Sequence, residues 1–236
     1  MDGILILNKE KNITSNKAIM KVRKILNIDK IGHCGTLDPD ATGVLPILLN
    51  KATKLSDLFL EKDKEYIASG IFGIKTDTAD ISGNIIEKKE FNNINEEDFK
   101  KVVLSFLGEY DQIPPMYSAI KKDGKKLYEL ARKNITIEVE PRRVKVLNIE
   151  LLEYKFNETY KSIEFKIKVL CSKGMYIRTL LEDICVKSGN IGTLTELERT
   201  KSGIFSIDNS YKINDIENNK YKIITNWLYS NFIIPT

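Results

Sequence analysis

The residues best equipped for chemistry lie in one stretch, Gly32-His33-Cys34-Gly35-Thr36-Leu37-Asp38-Pro39-Asp40-Ala41-Thr42-Gly43. It carries the only histidine of the 236-residue chain, one of three cysteines, and two aspartates separated by a proline. Asp38 could act as nucleophile or general base, His33 as acid or base, and Cys34 as a thiol nucleophile. Adjacent residues rarely face each other for proton transfer, which argues against a Cys34–His33 pair. Gly32, Gly35 and Gly43 permit turns or close backbone approach to a ligand. Pro39 fixes its own φ and biases Asp38 away from helix, so the carboxylate is aimed. The same dipeptide also makes an ordinary Asx-Pro turn that only shapes a loop. The residues alone leave both readings open.

Elements on either side must position this loop. Gly3 to Leu7 reads as a buried strand. Thr14 or Ser15 can cap a helix whose apolar positions Ala18, Ile19, Val22, Ile25 and Leu26 keep the helical period. Leu45 to Leu60 is an apolar run expected to lead into a helix. Tyr66 to Ile74 reads as a strand, 75–80 as a polar loop, and Ser82-Gly83-Asn84 as a turn. Asn95 caps a helix carrying Phe99, Val102, Val103, Phe106 and Leu107, with Gly108 as its stop. Its acidic surface, with Glu96, Glu97 and Asp98, is expected to face away from nucleic acid. Ile113 to Lys121 is a proline-initiated loop entering a short strand. A turn at 122–125 and a short helix, Lys126 to Lys133, follow. Val144 to Phe156 and Ser162 to Cys171 read as long strands. Met175 to Lys187 reads as a helix with Ile177, Leu180, Leu181 and Ile184 inward. A last strand around Gly203 to Ile207 precedes a polar connector and an apolar tail. The mixture is α+β.

Bulk properties narrow the class. With 42% hydrophobic and 30% charged residues, the chain can fold around a core and is not a disordered polymer. No apolar run reaches the roughly 20 residues that span a bilayer. The N-terminus lacks the basic region of a signal peptide. Cys34, Cys171 and Cys185 are far apart and odd in number, which argues against a disulfide framework and for a reducing, cytoplasmic setting. One histidine and no CxxC argue against a zinc site.

The net charge of +4 is mild, but its distribution is uneven. Lys121, Lys122, Lys125, Lys126, Arg132, Lys133, Arg142, Arg143 and Lys145 crowd one segment, with Tyr117 and Tyr128 interleaved. Such a segment suits phosphates and unstacked bases. A solvated lysine-rich surface is the alternative.

The Asp38 stretch closely resembles the catalytic motif of TruB-type pseudouridine synthases. Three more stretches match in order: Asp63 to Tyr66 leading to 73–80, Gln112 to Lys121, and Cys171 to Leu180. The resemblance covers about residues 3–207 and implies a pseudouridine synthase fold. In that fold a central mixed, mostly antiparallel sheet is flanked by helices, with an RNA-binding thumb segment. It implies one catalytic domain over 1–236, with a short extension at 208–236 and no PUA domain. Implied too are a cytoplasmic monomer, no membrane, metal or organic cofactor, and the T-arm of tRNA as partner.

Roles follow position by position. Asp38 matches the catalytic aspartate, Tyr66 the tyrosine against the target base, and Arg178 the arginine that pairs with the aspartate. Leu197 matches a leucine lining the uracil pocket and is expected in the core. His33 matches a histidine that stacks in the space left by flipped nucleotides. Lys9, Lys173 and Tyr176 are candidates for phosphate or pocket contacts. Lys121, Lys122, Lys125, Lys126, Arg132, Arg142 and Arg143 are the RNA-binding set.

The implied chemistry is isomerisation of uridine to pseudouridine, at uridine 55 of the T-loop. The base must be flipped out, at a cost of a few kcal/mol. A charged aspartate, held so by a neighbouring arginine, then adds to the nucleotide or takes a ribose proton. Nothing in the residues chooses between these routes. Read without the resemblance, Arg178 could be a surface ion pair, Tyr66 plain core and His33 a loop histidine. Glu10-Lys11-Asn12 stands where the family often has a proline and then, two residues on, a glycine. Alternatives to the whole reading are a guide-dependent or rRNA-directed synthase, and a tRNA-folding chaperone without essential catalysis.

Overall fold

The apolar N-terminal run does form a strand, and the chain then alternates strands with short helices. The structure, a computed structural model, describes residues 2–122, 124–133, 135 and 137–224. In chain order the elements are β1 (Gly3–Lys9), α1 (Ser15–Leu26), β2 (Ile31–His33), β3 (Thr42–Leu49), α2 (Ser56–Leu60) and β4 (Lys64–Phe72). Next come β5 (Ile74–Thr76), β6 (Ile85–Lys88), α3 (Glu96–Leu104), β7 (Gly108–Gln112), β8 (Lys121–Lys122), β9 (Lys125–Lys126) and α4 (Leu127–Ala131). The remainder are β10 (Arg142–Asn157), β11 (Ser162–Cys171), α5 (Ile177–Lys187), β12 (Gly192–Ser202), β13 (Phe205–Ser206) and α6 (Ile213–Glu217). The expected apolar tail at 225–236 lies outside the described residues.

The chain divides into two compact units, one made of Met1–Tyr66 with Leu197–Thr236, the other of Ile67–Glu196. In the first unit the strand order is β1–β3–β12–β4, with β2 also on β3 and β13 on β12. β1 and β3 run antiparallel in register from Gly3 opposite Leu49 to Lys9 opposite Gly43. β12 runs parallel to β3, with Arg199 opposite Gly43. Ile4, Ile6, Cys34, Val44, Leu48, Ala52, Phe59 and Phe205 form its buried core. In the second unit β12–β4–β11–β10–β7 is the order, and β10 runs antiparallel to both β11 and β7. With the parallel β3–β12 pair, the strand pairings are mixed and mostly antiparallel. Phe72, Phe99, Phe165 and Tyr154 stack at centroid distances of 4.8 to 5.3 Å beneath it. The architecture is α+β, and among the described residues no helix is long and apolar enough to cross a membrane.

Local chemistry explains the helix starts. Thr14 caps α1 by accepting from Lys17 N at 3.2 Å, and Asn95 caps α3 by accepting from Asp98 N at 2.9 Å. Several expectations need correction. The run from Leu45 leads into α2 as expected, but its first residues belong to β3, since a fully buried strand and a buried helix share the same apolar pattern. α3 ends at Leu104, and Gly108, at φ +105°, opens β7. Residues 75 and 76 of the expected polar loop are paired, together with Ile74, as β5 against β6. The expected strand at Gly203 to Ile207 shrinks to β13, and α6 interrupts the polar connector. β12 was not expected at all. Its buried positions include Thr193, Arg199 and Ser202, so it lacks the apolar alternation of a strand.

Candidate active site

The Asp38 loop hangs between β2 and β3 and is fastened from three directions. Ala41 N donates to Asp38 O at 3.2 Å, closing a turn over Pro39-Asp40, with proline where such turns favour it. From α1, the buried Ser15 hydroxyl donates to Leu37 O and accepts from Leu37 N, both at 2.9 Å. At the end of β1, Lys9 is fully buried, and its ammonium donates to Pro39 O at 2.9 Å, Ile13 O at 2.8 Å and Glu10 O at 2.9 Å. An ammonium has three donors, and these carbonyls take all of them. Lys9 is thus a positioning residue beneath the loop, in place of the phosphate or pocket contact expected of it. Burial pushes its pKa down to about 8, against the pull of the Asp40 and Asp38 carboxylates.

Arg199, which the sequence reading missed, is the third fastener. Only 1% exposed on β12, it donates from Nε to Val44 O at 2.7 Å and from Nη2 to Gly35 O at 3.0 Å. It therefore ties the start of the loop to the strand at its end. Across the sheet, Lys9, Gly43 and Arg199 stand in one row of register. Gly43 makes that row possible. Its φ is +100°, and a Cβ there would lie 2.2 Å from Arg199 O. Gly43→Ala is expected to lose at least about 3 kcal/mol, combining left-handed strain with a backbone clash. Thermal unfolding would show this as a fall of roughly 10 °C, and an unchanged midpoint would refute it.

The loop following Lys9 keeps its shape by another residue. Asn12 takes φ 64°, the left-handed conformation that the family's glycine would supply.

His33 and Cys34 sort as their surroundings dictate. Cys34 is fully buried in the core, and burial pushes its thiol up to about 12, so it is no nucleophile. His33 ends β2, half-buried. Burial first, then the Arg199 charge, pushes its imidazole below the usual range, leaving it neutral. Its Nδ1 is buried with no hydrogen-bond partner among the described residues. Tyr66, at 9% exposure, is buried in β4. Leu197 is only half-buried, not core, and its carbonyl accepts from Thr42 Oγ1 at 3.4 Å.

In the second unit, Arg178 draws three of the resembling stretches together. It sits in the first turn of α5 at 5% exposure. Its Nη1 donates to Thr78 O and Nη2 to Tyr117 O, both at 2.8 Å, and Nη1 lies 3.8 Å from Asp80 Oδ2. This burial removes the surface ion-pair reading. Just before α5, Tyr176 N donates to Gln112 Oε1 at 2.8 Å while Gln112 Nε2 donates to Tyr176 O at 3.1 Å. Lys173 stands exposed in the turn before α5.

The basic segment is a surface hairpin. β8 and β9 pair Lys121 with Lys126 and Lys122 with Lys125. Lys121, Lys122, Lys125, Arg132, Arg142 and Arg143 are exposed, and Lys126 is half-buried. The Tyr128 ring is flanked by Lys126 Nζ at 5.5 Å and the Arg132 guanidinium at 5.2 Å. Arg143 pairs with Asp111 at 2.9 Å, and Lys122 donates to Glu138 O at 2.6 Å.

Residues 23–177 match the TruB family pseudouridylate synthase (N terminal domain). The chain is 44% identical over 221 residues to the tRNA pseudouridine synthase B of Endomicrobium trichonymphae, covering 92% of both chains. It is 48% identical over 216 residues to that of Clostridium tetani, covering 92% of this chain and 73% of the relative. Among solved structures it is similar to a chain of a Cbf5-Nop10-Gar1 complex, with a TM-score of 0.71 and 28% identity. That match covers 97% of this chain but only 56% of the structural relative.

Proposed function

The chain belongs to the TruB family of pseudouridylate synthases, and from that premise we propose that it isomerises uridine 55 in the T-loop of tRNA. The observation that carries this reading is the Asp38 turn, fastened by Lys9, Ser15 and Arg199 within a chain so closely related to tRNA pseudouridine synthases B. A carboxylate carried on so firmly fastened a loop suits a reaction in which one group must meet a flipped nucleotide at a set distance and angle. Asp38 adds to the nucleotide or takes a ribose proton, the glycosidic C–N bond breaks, and the rotated uracil rejoins the ribose through C5, which gives up its proton as N1 gains one and Asp38 is restored. Tyr66 and Leu197 wall the base, and Arg178 supports the carboxylate's charge. His33, neutral and half-buried, stacks where the nucleotide has left. The Lys121–Lys126 hairpin with Arg132, Arg142 and Arg143 holds the T-arm backbone, and Lys173 and Tyr176 lie toward the substrate. The reaction uses no metal or organic cofactor, and the protein works as a cytoplasmic monomer. Three free, buried cysteines fit a reducing compartment.

The guide-dependent alternative is less well supported, because identity to the Cbf5 chain is 28% against 44% and 48% for the named tRNA pseudouridine synthases. Purified protein alone should form pseudouridine in an unmodified T-arm hairpin. Inactivity there, with activity appearing only on addition of a guide RNA particle, would reverse the choice.

A further inference from the structure

The proposed mechanism leaves unused a basic groove of about 650 Å³ along α1, lined by Lys11, Lys17, Lys21 and Lys24 together with Met20. Lys17, Met20, Lys21 and Lys24 follow the i, i+3, i+4, i+7 spacing of one helix face. The opposite face, Ala18, Ile19 and Val22, is buried in the unit's interior. All four lysines are exposed, and among the described residues none of their ammoniums is in an ion pair. Only Glu10 opposes them in the groove. Four unneutralised like charges around one concavity repel each other, and a polyanion relieves that repulsion.

The groove is mechanically continuous with the Asp38 loop. Its wall includes Glu10 and Ile13, whose carbonyls share the Lys9 ammonium with Pro39. Ser15, at the start of the same helix, holds Leu37. Lys17 to Lys24 spans about 10 Å along the axis, enough to follow more than one phosphate of a strand. Met20, 44% exposed, adds apolar surface suited to sugar edges.

We infer that this groove is a second binding surface for the RNA backbone, separate from the lysine hairpin. The inference rests on the tRNA reading above for the identity of the RNA. The test is Lys17→Ala/Lys21→Ala/Lys24→Ala in the full chain, at exposed helix positions where alanine favours the fold. With an unmodified tRNA transcript, Kd should rise on the order of tenfold, and the slope of log Kd against log salt should fall by about two to three. KM should rise while kcat at saturating tRNA stays at the wild-type value. A wild-type slope and Kd would overturn the inference, including the case where binding to vesicles of anionic lipid is lost instead. If the wild-type protein forms no pseudouridine, the functional reading fails. The salt slope still decides whether the groove binds RNA.

Discussion

Asp38→Asn is expected to lower pseudouridine formation by at least about 10³-fold, with tRNA binding within about twofold of wild type. The magnitude is that of removing one positioned acid–base or nucleophilic group. Asparagine keeps the shape of the side chain, and the turn is closed by backbone, Asp38 O accepting from Ala41 N. Its fastenings also lie elsewhere, at Gly35, Leu37 and Pro39. The change removes the charge and basicity of the carboxylate. Single-turnover rates with saturating enzyme separate this from a binding defect. A rate within tenfold of wild type would remove Asp38 from the chemistry.

Arg199 should give the second largest effect, and of a different kind. Arg199→Ala leaves two buried carbonyls, Gly35 O and Val44 O, without this donor and opens a cavity in a fully buried site. Such losses amount to about 3–5 kcal/mol, and the variant is expected to be poorly folded. Arg199→Lys is therefore the informative change. It keeps a positive charge, but an ammonium is a point charge and cannot reproduce the guanidinium fork spanning loop and strand. The lysine variant should lose at least about tenfold in kcat, with the KM for tRNA unchanged. That split marks a positioning residue. An unaltered kcat with a lowered melting temperature would make Arg199 merely structural.

The difference between these two residues shows what the sequence displays. The Asp38 loop was legible because its chemistry is local: Asp-Pro sets a turn, and the glycines around it carry a recognisable motif. The caps Thr14 and Asn95 and the bounds of β11 were legible for the same reason. Arg199 was not, because its role depends on register. It meets Gly43 only through a parallel pairing of strands 155 residues apart in sequence, as its bond to Val44 shows. β12 itself hid behind buried threonine, serine and arginine, residue types that read as surface. Lys9 looked like a phosphate ligand because a lysine's type says nothing of which carbonyls surround it. The first residues of the run from Leu45 were not separated as β3, because an apolar run fits a buried strand as well as a buried helix. Arg178 was assigned by resemblance. Its burial among Thr78, Tyr117 and Asp80 shows the motif stretches meeting in space.

The most direct measurement is a nucleotide-resolution map of pseudouridine in an unmodified tRNA transcript treated with the purified chain, beside the same map for Asp38→Asn. The account predicts near-complete conversion at uridine 55 alone with the wild-type protein, and none above background with the variant. Conversion at a different uridine, or at uridine 55 by the variant as well, would contradict it.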